Sequence, residues 1–263
     1  MLAFSARNIA ISDAIAEDLR RSDVDPSTIV RIYNGVELDR FADAKSQQPI
    51  FRGLLGLAGK PVISMIARIC EQKRQEELIR ALPLVLAKHP DAVTLIVGET
   101  DGADMAYHKR LLALIDDFGV RGSVVFHGFE RRIERIHAVS DALVLCTYNE
   151  PFGRCLIEAM AAGVPVIAPN QGGPTEIVTS GVNGILYTPG DERELANCIT
   201  AVLDDPALAR RLSCGAKARA SAFSLASHTA TLMDLYDEVL YGGRIEGAGL
   251  PVCRMLRKEG TTK

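Results

Sequence analysis

Tryptophan is absent from this 263-residue chain, and all aromatic residues together make up only 5%. That leaves little material for the stacking platforms that hold single-stranded nucleic acid, or for aromatic sugar-binding grooves. A surplus of one charge is missing too. The 30 Lys and Arg against 33 Asp and Glu leave a formal charge of −3, so no global basic field exists to hold nucleic acid through counterion release. The six cysteines, at 70, 146, 155, 198, 214 and 253, form no CxxC pair, and no His stands beside them at zinc spacing, which argues against a metal site. Cys146 lies in an apolar run and Cys198 in a helical pattern, as expected of reduced, buried thiols. No run reaches the about 18 to 20 apolar residues of a membrane span, and the first residues lack the charged and apolar regions of a signal peptide. A cytoplasmic location is therefore expected. No GxGxxG opens a helix after a strand and no GxxxxGK[ST] occurs; the Gly53 to Lys60 run precedes a strand. This excludes a P-loop and the common dinucleotide fingerprint.

What is present is ordinary globular composition, 48% hydrophobic and 24% charged, enough for one large domain or one domain plus a fragment. Short β-branched runs predict strands over 61–67, 93–97, 123–126, 142–146, 164–168 and 185–187. Between them, apolar residues at three-or-four spacing predict helices over 75–89, 105–118, 131–139 and 153–162. That alternation predicts an α/β fold with a doubly wound, mostly parallel, Rossmann-like sheet. Three further C-terminal helices are predicted over 192–203, 206–220 and 225–240, the second opened by Pro206 behind Asp205. Residues 7–11 and 28–33 read as strands flanking a helix capped by Ser12, too few to bury a core alone. The polar, aperiodic stretch 43–49 reads as a linker with a domain boundary near residue 50. The expected organisation is 1–45 as the end of another domain, 50–240 as the main domain and 241–263 as a flexible tail. From Arg244 onward that tail carries five basic against two acidic residues, suiting a solvated terminus or at most a peripheral membrane contact.

The sharpest local constellation runs from Glu150 through Pro151, Phe152, Gly153, Arg154 and Cys155 to Glu158. It follows a predicted strand and enters an apolar helix, which puts Glu150 at the strand's carboxyl end, where open α/β sheets bind ligands. Gly153 permits close backbone approach, and the helix start offers unpaired N–H donors and a positive dipole end, a setting for phosphate. Eight residues of helix rise about 12 Å, too far for a paired-carboxylate hydrolase. Glu150 and Glu158 are thus either two contacts along one extended ligand, or a dipole partner and a solvated helix residue. Arg68 and Lys73 lie past another strand's carboxyl end. They could neutralise a diphosphate, or form exposed loop pairs with Glu71 and Glu76. His127 ends a third strand; a structural or base-contacting role fits it better than catalysis, since no nucleophile-elbow Ser or Cys is near.

With those residues assembled, the chain resembles the C-terminal half of retaining glycosyltransferases of the large family 4, which have the GT-B fold of two facing Rossmann-like domains. The likeness runs through residues 7–240. It is carried by Ile32-Tyr-Asn-Gly-Val-Glu-Leu-Asp-Arg-Phe41, Ala67-Arg68 with Lys73, Val97-Gly98-Glu99, Val125-Phe-His-Gly128, the Glu150/Glu158 pair, Glu158-Ala-Met-Ala-Ala-Gly-Val-Pro-Val166, Gly172-Gly173 with Glu176, and Gly184-Ile-Leu-Tyr-Thr-Pro-Gly-Asp191. The resemblance implies a nucleotide-sugar donor. Arg68 and Lys73 would hold its diphosphate and stabilise the leaving nucleotide. Phe152, Gly153, Arg154 and Cys155 would line sugar and phosphate through their backbone. Glu150 would meet the sugar hydroxyls and Glu158 the ribose, with Gly98 and His127 near the base. Arg68, Lys73 and Glu150 are the implied catalytic group, and no cofactor or essential metal is implied.

Two departures stand out. Only the end of the family's N-terminal acceptor domain is recognisable, and Thr100 interrupts the usual close glycine pair in the Gly98 to Gly102 loop. Three readings follow: a truncated transferase with the donor half intact, one subunit of a split transferase, or a non-catalytic nucleotide-sugar-binding module. Exposed faces on the N-terminal pieces would favour self-association.

Overall fold

The computed structural model describes residues 5–241. The first elements are short: β1 (Asn8–Ala10), α1 (Asp13–Arg21), β2 (Ile29–Arg31), α2 (Asp39–Ala42) and α3 (Gln48–Leu54). Strand and helix then alternate through β3 (Val62–Ile66), α4 (Gln75–Leu86), β4 (Val93–Val97), α5 (Met105–Asp117), β5 (Val124–Gly128), α6 (Glu134–Val139), β6 (Ala142–Val144), α7 (Arg154–Ala161), β7 (Val166–Pro169), α8 (Pro174–Ile177) and β8 (Ile185–Tyr187). The helices α9 (Glu192–Asp204), α10 (Pro206–Ala220) and α11 (Leu225–Tyr241) complete the described chain.

β3 to β8 form one parallel sheet in the order β5-β4-β3-β6-β7-β8. Helices cover both faces, which is why β3, β4 and β7 are buried without alternation and largely apolar. One face packs Leu78 and Leu82 of α4, Leu111 of α5 and Ile199 of α9 on the sheet. The other packs Leu156 and Met160 of α7 with Ala216 of α10. Each such side chain, fully buried, is worth about 1.5–3 kcal/mol. The result is the doubly wound, Rossmann-like α/β fold the patterning predicts. α10 starts as expected, with the Asp205 carboxylate accepting from Ala207 N and Leu208 N at 2.8 and 3.0 Å.

Boundaries differ where backbone bonding overrides side-chain pattern. β7 begins at Val166, not 164, because Val164 N bonds back to Ala159 O at 2.8 Å and Pro165 has no N–H to give a ladder. β5 runs on to Gly128, which places His127 inside the strand. Residues 43–49 are not an irregular linker. They form a short 3-10 turn over Ala44–Gln47 and the start of α3, so the boundary expected near residue 50 falls inside a helix.

β1 and β2 pair in parallel as a separate two-stranded sheet, with Asn8 opposite Ile29. This small unit is fastened to the larger body. Val36 N donates to Phe223 O and Leu225 N to Val36 O, both at 2.9 Å. Tyr33 stacks on Phe152 at 5.6 Å, and Arg7 pairs with Glu238 of α11 at 2.7 Å. Among the described residues no helix is long and apolar enough to cross a membrane. Of the tail expected over 241–263, Tyr241 ends α11, and the remainder, with its basic cluster, lies outside the described residues.

Candidate functional site

Strand order reverses between β3 and β6, so the loops leaving their carboxyl ends part and open a crevice. The β3 loop carries Arg68 and Lys73, and the β6 loop carries Glu150 to Gly153. The neighbouring loops are tied in by backbone bonds: Ala67 N to Val97 O at 3.0 Å, Ile69 N to Glu99 O at 2.9 Å and Gly98 N to Gly128 O at 2.8 Å. This approach requires glycine at position 98. Its φ is +142°, and a Cβ there would overlap the Ala67 carbonyl.

Across the crevice, Lys73 Nζ donates to Glu150 Oε2 at 2.8 Å, and both side chains are mostly buried. Arg68 is exposed, with Nη1 3.5 Å from Asp101 Oδ2, while its carbonyl accepts from Gln75 Nε2 at 2.9 Å. The alternative pairing with the nearby acids is overturned: Glu71 is held by Arg110 and Glu76 by the Tyr107 hydroxyl. His127 lies on the same edge, its Nε2 3.6 Å from Glu130 Oε2.

Gly153, at φ +103°, starts α7 with no side-chain cap; Leu156 N turns back to Gly153 O at 3.0 Å, and among the described residues the N–H groups of Arg154 and Cys155 have no acceptor. Phe152 is 2% exposed, and its ring packs between Tyr33 and Phe223. Gly172 and Gly173 press against this segment, and Gly173 N donates to Glu150 O at 2.9 Å.

Glu158 is not a solvated helix residue; its side chain is 17% exposed, with Arg154 Nη2 3.6 Å away. Burial pushes its carboxyl above the usual range, against the pull of Arg154 and Arg40. The Cys155 thiol is pushed up to about 12 by burial, then by the charges of Glu158 and Glu150. A thiol so firmly protonated is no nucleophile, which leaves Cys155 its backbone. Among the described residues no group of three or more His, Cys, Asp or Glu is placed to hold a metal ion.

Sequence reasoning missed Arg74 and Glu77. Arg74 adopts the left-handed conformation, φ +52°, rare outside glycine. It swings its guanidinium to Glu77, 3.2 Å away, and over the Tyr148 ring at 5.9 Å. Glu77 is 1% exposed and accepts from Gly190 N at 2.9 Å, tying the Lys73 loop to the loop after β8. The i,i+3 spacing was a signal for the pair; nothing in the sequence marked the backbone turn. Also missed was α1. Its N-terminal N–H groups, Asp13 and Ala14, donate to the two carboxylate oxygens of Glu176 at 2.8 and 3.1 Å. This holds α1 across a cleft of about 330 Å3 from Asn149 and Glu150.

Residues 47–219 match the family described as Glycosyl transferases group 1. A D-inositol 3-phosphate glycosyltransferase of Streptomyces griseus subsp. griseus is 32% identical over 257 residues, covering 90% of this chain and 54% of the relative. One of Nocardia farcinica is 29% identical, covering 87% and 51%. The chain thus spans about half the length of the curated relatives it matches. Among solved structures, Anabaena Alr3699/HepE in complex with UDP-glucose superposes with a TM-score of 0.85 at 30% identity, covering 89% of this chain and 64% of that one. The C-terminal domain of a glycosyl transferase group 1 family protein (LpcC) from Francisella tularensis superposes at 0.67 with 26% identity, covering 73% of this chain and 100% of that domain.

Proposed function

Since the chain belongs to the group 1 glycosyltransferases, we propose that its carboxyl-edge crevice binds a nucleoside-diphosphate sugar and that the chain is the donor-binding half of a retaining transferase of family 4. The observation that carries this reading is the meeting of Lys73 and Glu150 from two different loops at the switch point of the sheet. The UDP-glucose complex of Alr3699/HepE supports a uridine nucleotide as the first candidate.

In this reading Arg68, Lys73 and the free N–H groups at the start of α7 hold the diphosphate. Transfer breaks the bond between the anomeric carbon and the diphosphate oxygen, the electron pair staying on the diphosphate. The acceptor hydroxyl oxygen forms the new bond on the same face, and its proton passes to the departing diphosphate oxygen. Fixed cations and a helix N-terminus aimed at the developing charge lower that barrier. Glu150 orients the sugar through its hydroxyls, Glu158 accepts from the ribose, and Gly98 and His127 border the base. The step as written asks for no cofactor. The β1–α1–β2 unit is then the end of an acceptor-side domain, completed by further chain or by a partner subunit.

Calorimetric titration of the purified chain with UDP, GDP and ADP tests this. One nucleotide should bind, and Arg68→Ala and Glu158→Ala should each weaken it about 10- to 100-fold, the worth of a charge-assisted hydrogen bond. A folded chain that binds none of the three, or binds with indifference to both substitutions, overturns the assignment.

A further inference from the structure

At the opposite, amino-terminal side of the six-stranded sheet lies a cavity of about 650 Å3, with Pro61, Asp141 and Pro165 at the starts of β3, β6 and β7 on its floor. Lys45, Arg52, Lys60 and Arg210 line it, against Asp141 as the one acid. That is an unusual concentration in a chain whose net charge is −3. Asp141 is already engaged, its Oδ2 accepting from Arg52 Nη2 at 2.6 Å and from Val62 N at 2.8 Å.

Two of the cations are fixed by the fold. Arg52 donates to Val139 O at 2.8 Å and Lys45 to Ser140 O, so both satisfy carbonyls at the end of α6. The others have no such task. Among the described residues Lys60, Arg210 and Lys217 make no ion pair, though the charge of Arg210 reaches the Asp205 carboxylate; Lys217 packs beside the cavity-lining Gly163. The Lys45 ammonium is pushed down to about 8 by burial, and Arg52 and Lys217 push the same way, with Asp141 alone opposing. Like charges gathered in a concave site repel one another, and a dianion entering among them would relieve that repulsion. The cavity also has an apolar ledge, made by Val202 and Leu203 of α9 and Pro206 and Ala209 of α10. Open as the cavity is to solvent, its volume lies in the range of small-molecule sites.

We propose that this cavity is a second ligand site, taking a phosphorylated small molecule whose phosphate sits among Lys45, Lys60 and Arg210 and whose body lies on the α9–α10 ledge. It is distinct from the donor crevice. β3 starts at the one and ends at the other, its five residues spanning about 17 Å.

Pyrophosphate is the probe, titrated calorimetrically into the full chain carrying Lys73→Ala, which removes the mostly buried cation of the crevice and weakens binding there. It should bind once per chain and raise the melting temperature. Adding Lys60→Gln with Arg210→Gln, both at exposed positions, should weaken that binding roughly tenfold or more. The same pair in the otherwise unaltered chain should leave nucleotide binding unchanged. No pyrophosphate binding to the Lys73→Ala chain, or binding that ignores the pair, overturns the proposal. In a second arm, phosphatidylcholine vesicles containing phosphatidic acid should sediment the unaltered chain and the Lys60→Gln, Arg210→Gln chain alike. Sedimentation that the double variant loses would assign the phosphate to a lipid headgroup and overturn the small-molecule reading.

Discussion

Lys73 and Glu150 lie 77 residues apart in the chain and 2.8 Å apart in space. Their residue types and their places past strand ends were legible in the sequence; their pairing was not, because Glu71 and Glu76 stand nearer to Lys73 along the chain. Arg110 and Tyr107 of α5 claim those acids, and nothing local to the loop says so. His137 was equally opaque. It reads as one more polar residue, yet it is fully buried, with neither ring nitrogen hydrogen-bonded among the described residues. Burial, then the charge of Lys45, pushes its pKa down to about 3. Above pH 6.5 both folded and unfolded chains carry it neutral. Below that, the unfolded chain takes a proton that the folded one refuses, so stability falls as pH drops from 6.5 toward 3, by about 1.4 kcal/mol per unit. Urea denaturation should therefore show the unaltered chain losing about 2 kcal/mol relative to His137→Leu between pH 7 and pH 5. A difference that stays constant over that range would contradict the assignment.

At the scale of elements, long buried strands and regular amphipathic helices were legible, and short or irregular ones were not. The start of α3 fell in the stretch 43–49 read as a linker because that stretch is polar and aperiodic, and the apolar residues that follow do not share a face. Ile50 and Leu54 are exposed, while Phe51 packs inward beneath Arg135. Pro49 falls in the first turn, where its missing N–H costs nothing. The nine-residue α1 is too short to be stable unaided. Its standing depends on the Glu176 carboxylate at its N-terminus, a contact worth about 0.5–2 kcal/mol by analogy with a helix cap. Glu176→Ala should speed amide exchange across α1 about tenfold while leaving β3 and β4 protected. Unchanged α1 protection would show that the helix is held by other contacts.

For the whole molecule, strand–helix alternation was enough for the fold class, but the β5-β4-β3-β6-β7-β8 order and the separate β1–β2 sheet are tertiary facts that periodicity does not encode. That separate sheet bears on behaviour in solution. Among the described residues β1 and β2 pair only with each other, each leaving an edge open, and Ile9 is 42% exposed. At the same end α11 buries only Leu235 and exposes Met233, Tyr236 and Leu240. Open edges beside an apolar face favour association. Light scattering should show mass rising with concentration, and Tyr236→Glu with Leu240→Glu should lower it toward the monomer. A monodisperse monomer at all concentrations would contradict this expectation.

The Lys73–Glu150 contact also sets terms for whatever enters the crevice. Each member holds the other's charge out of water, so a visitor that takes one must answer for both. An anion alone leaves a carboxylate stranded, and a polyol alone leaves an ammonium stranded, each at a desolvation cost. The contact behaves as a lock with two keys, turned only when phosphate oxygens and hydroxyl donors arrive on the same molecule.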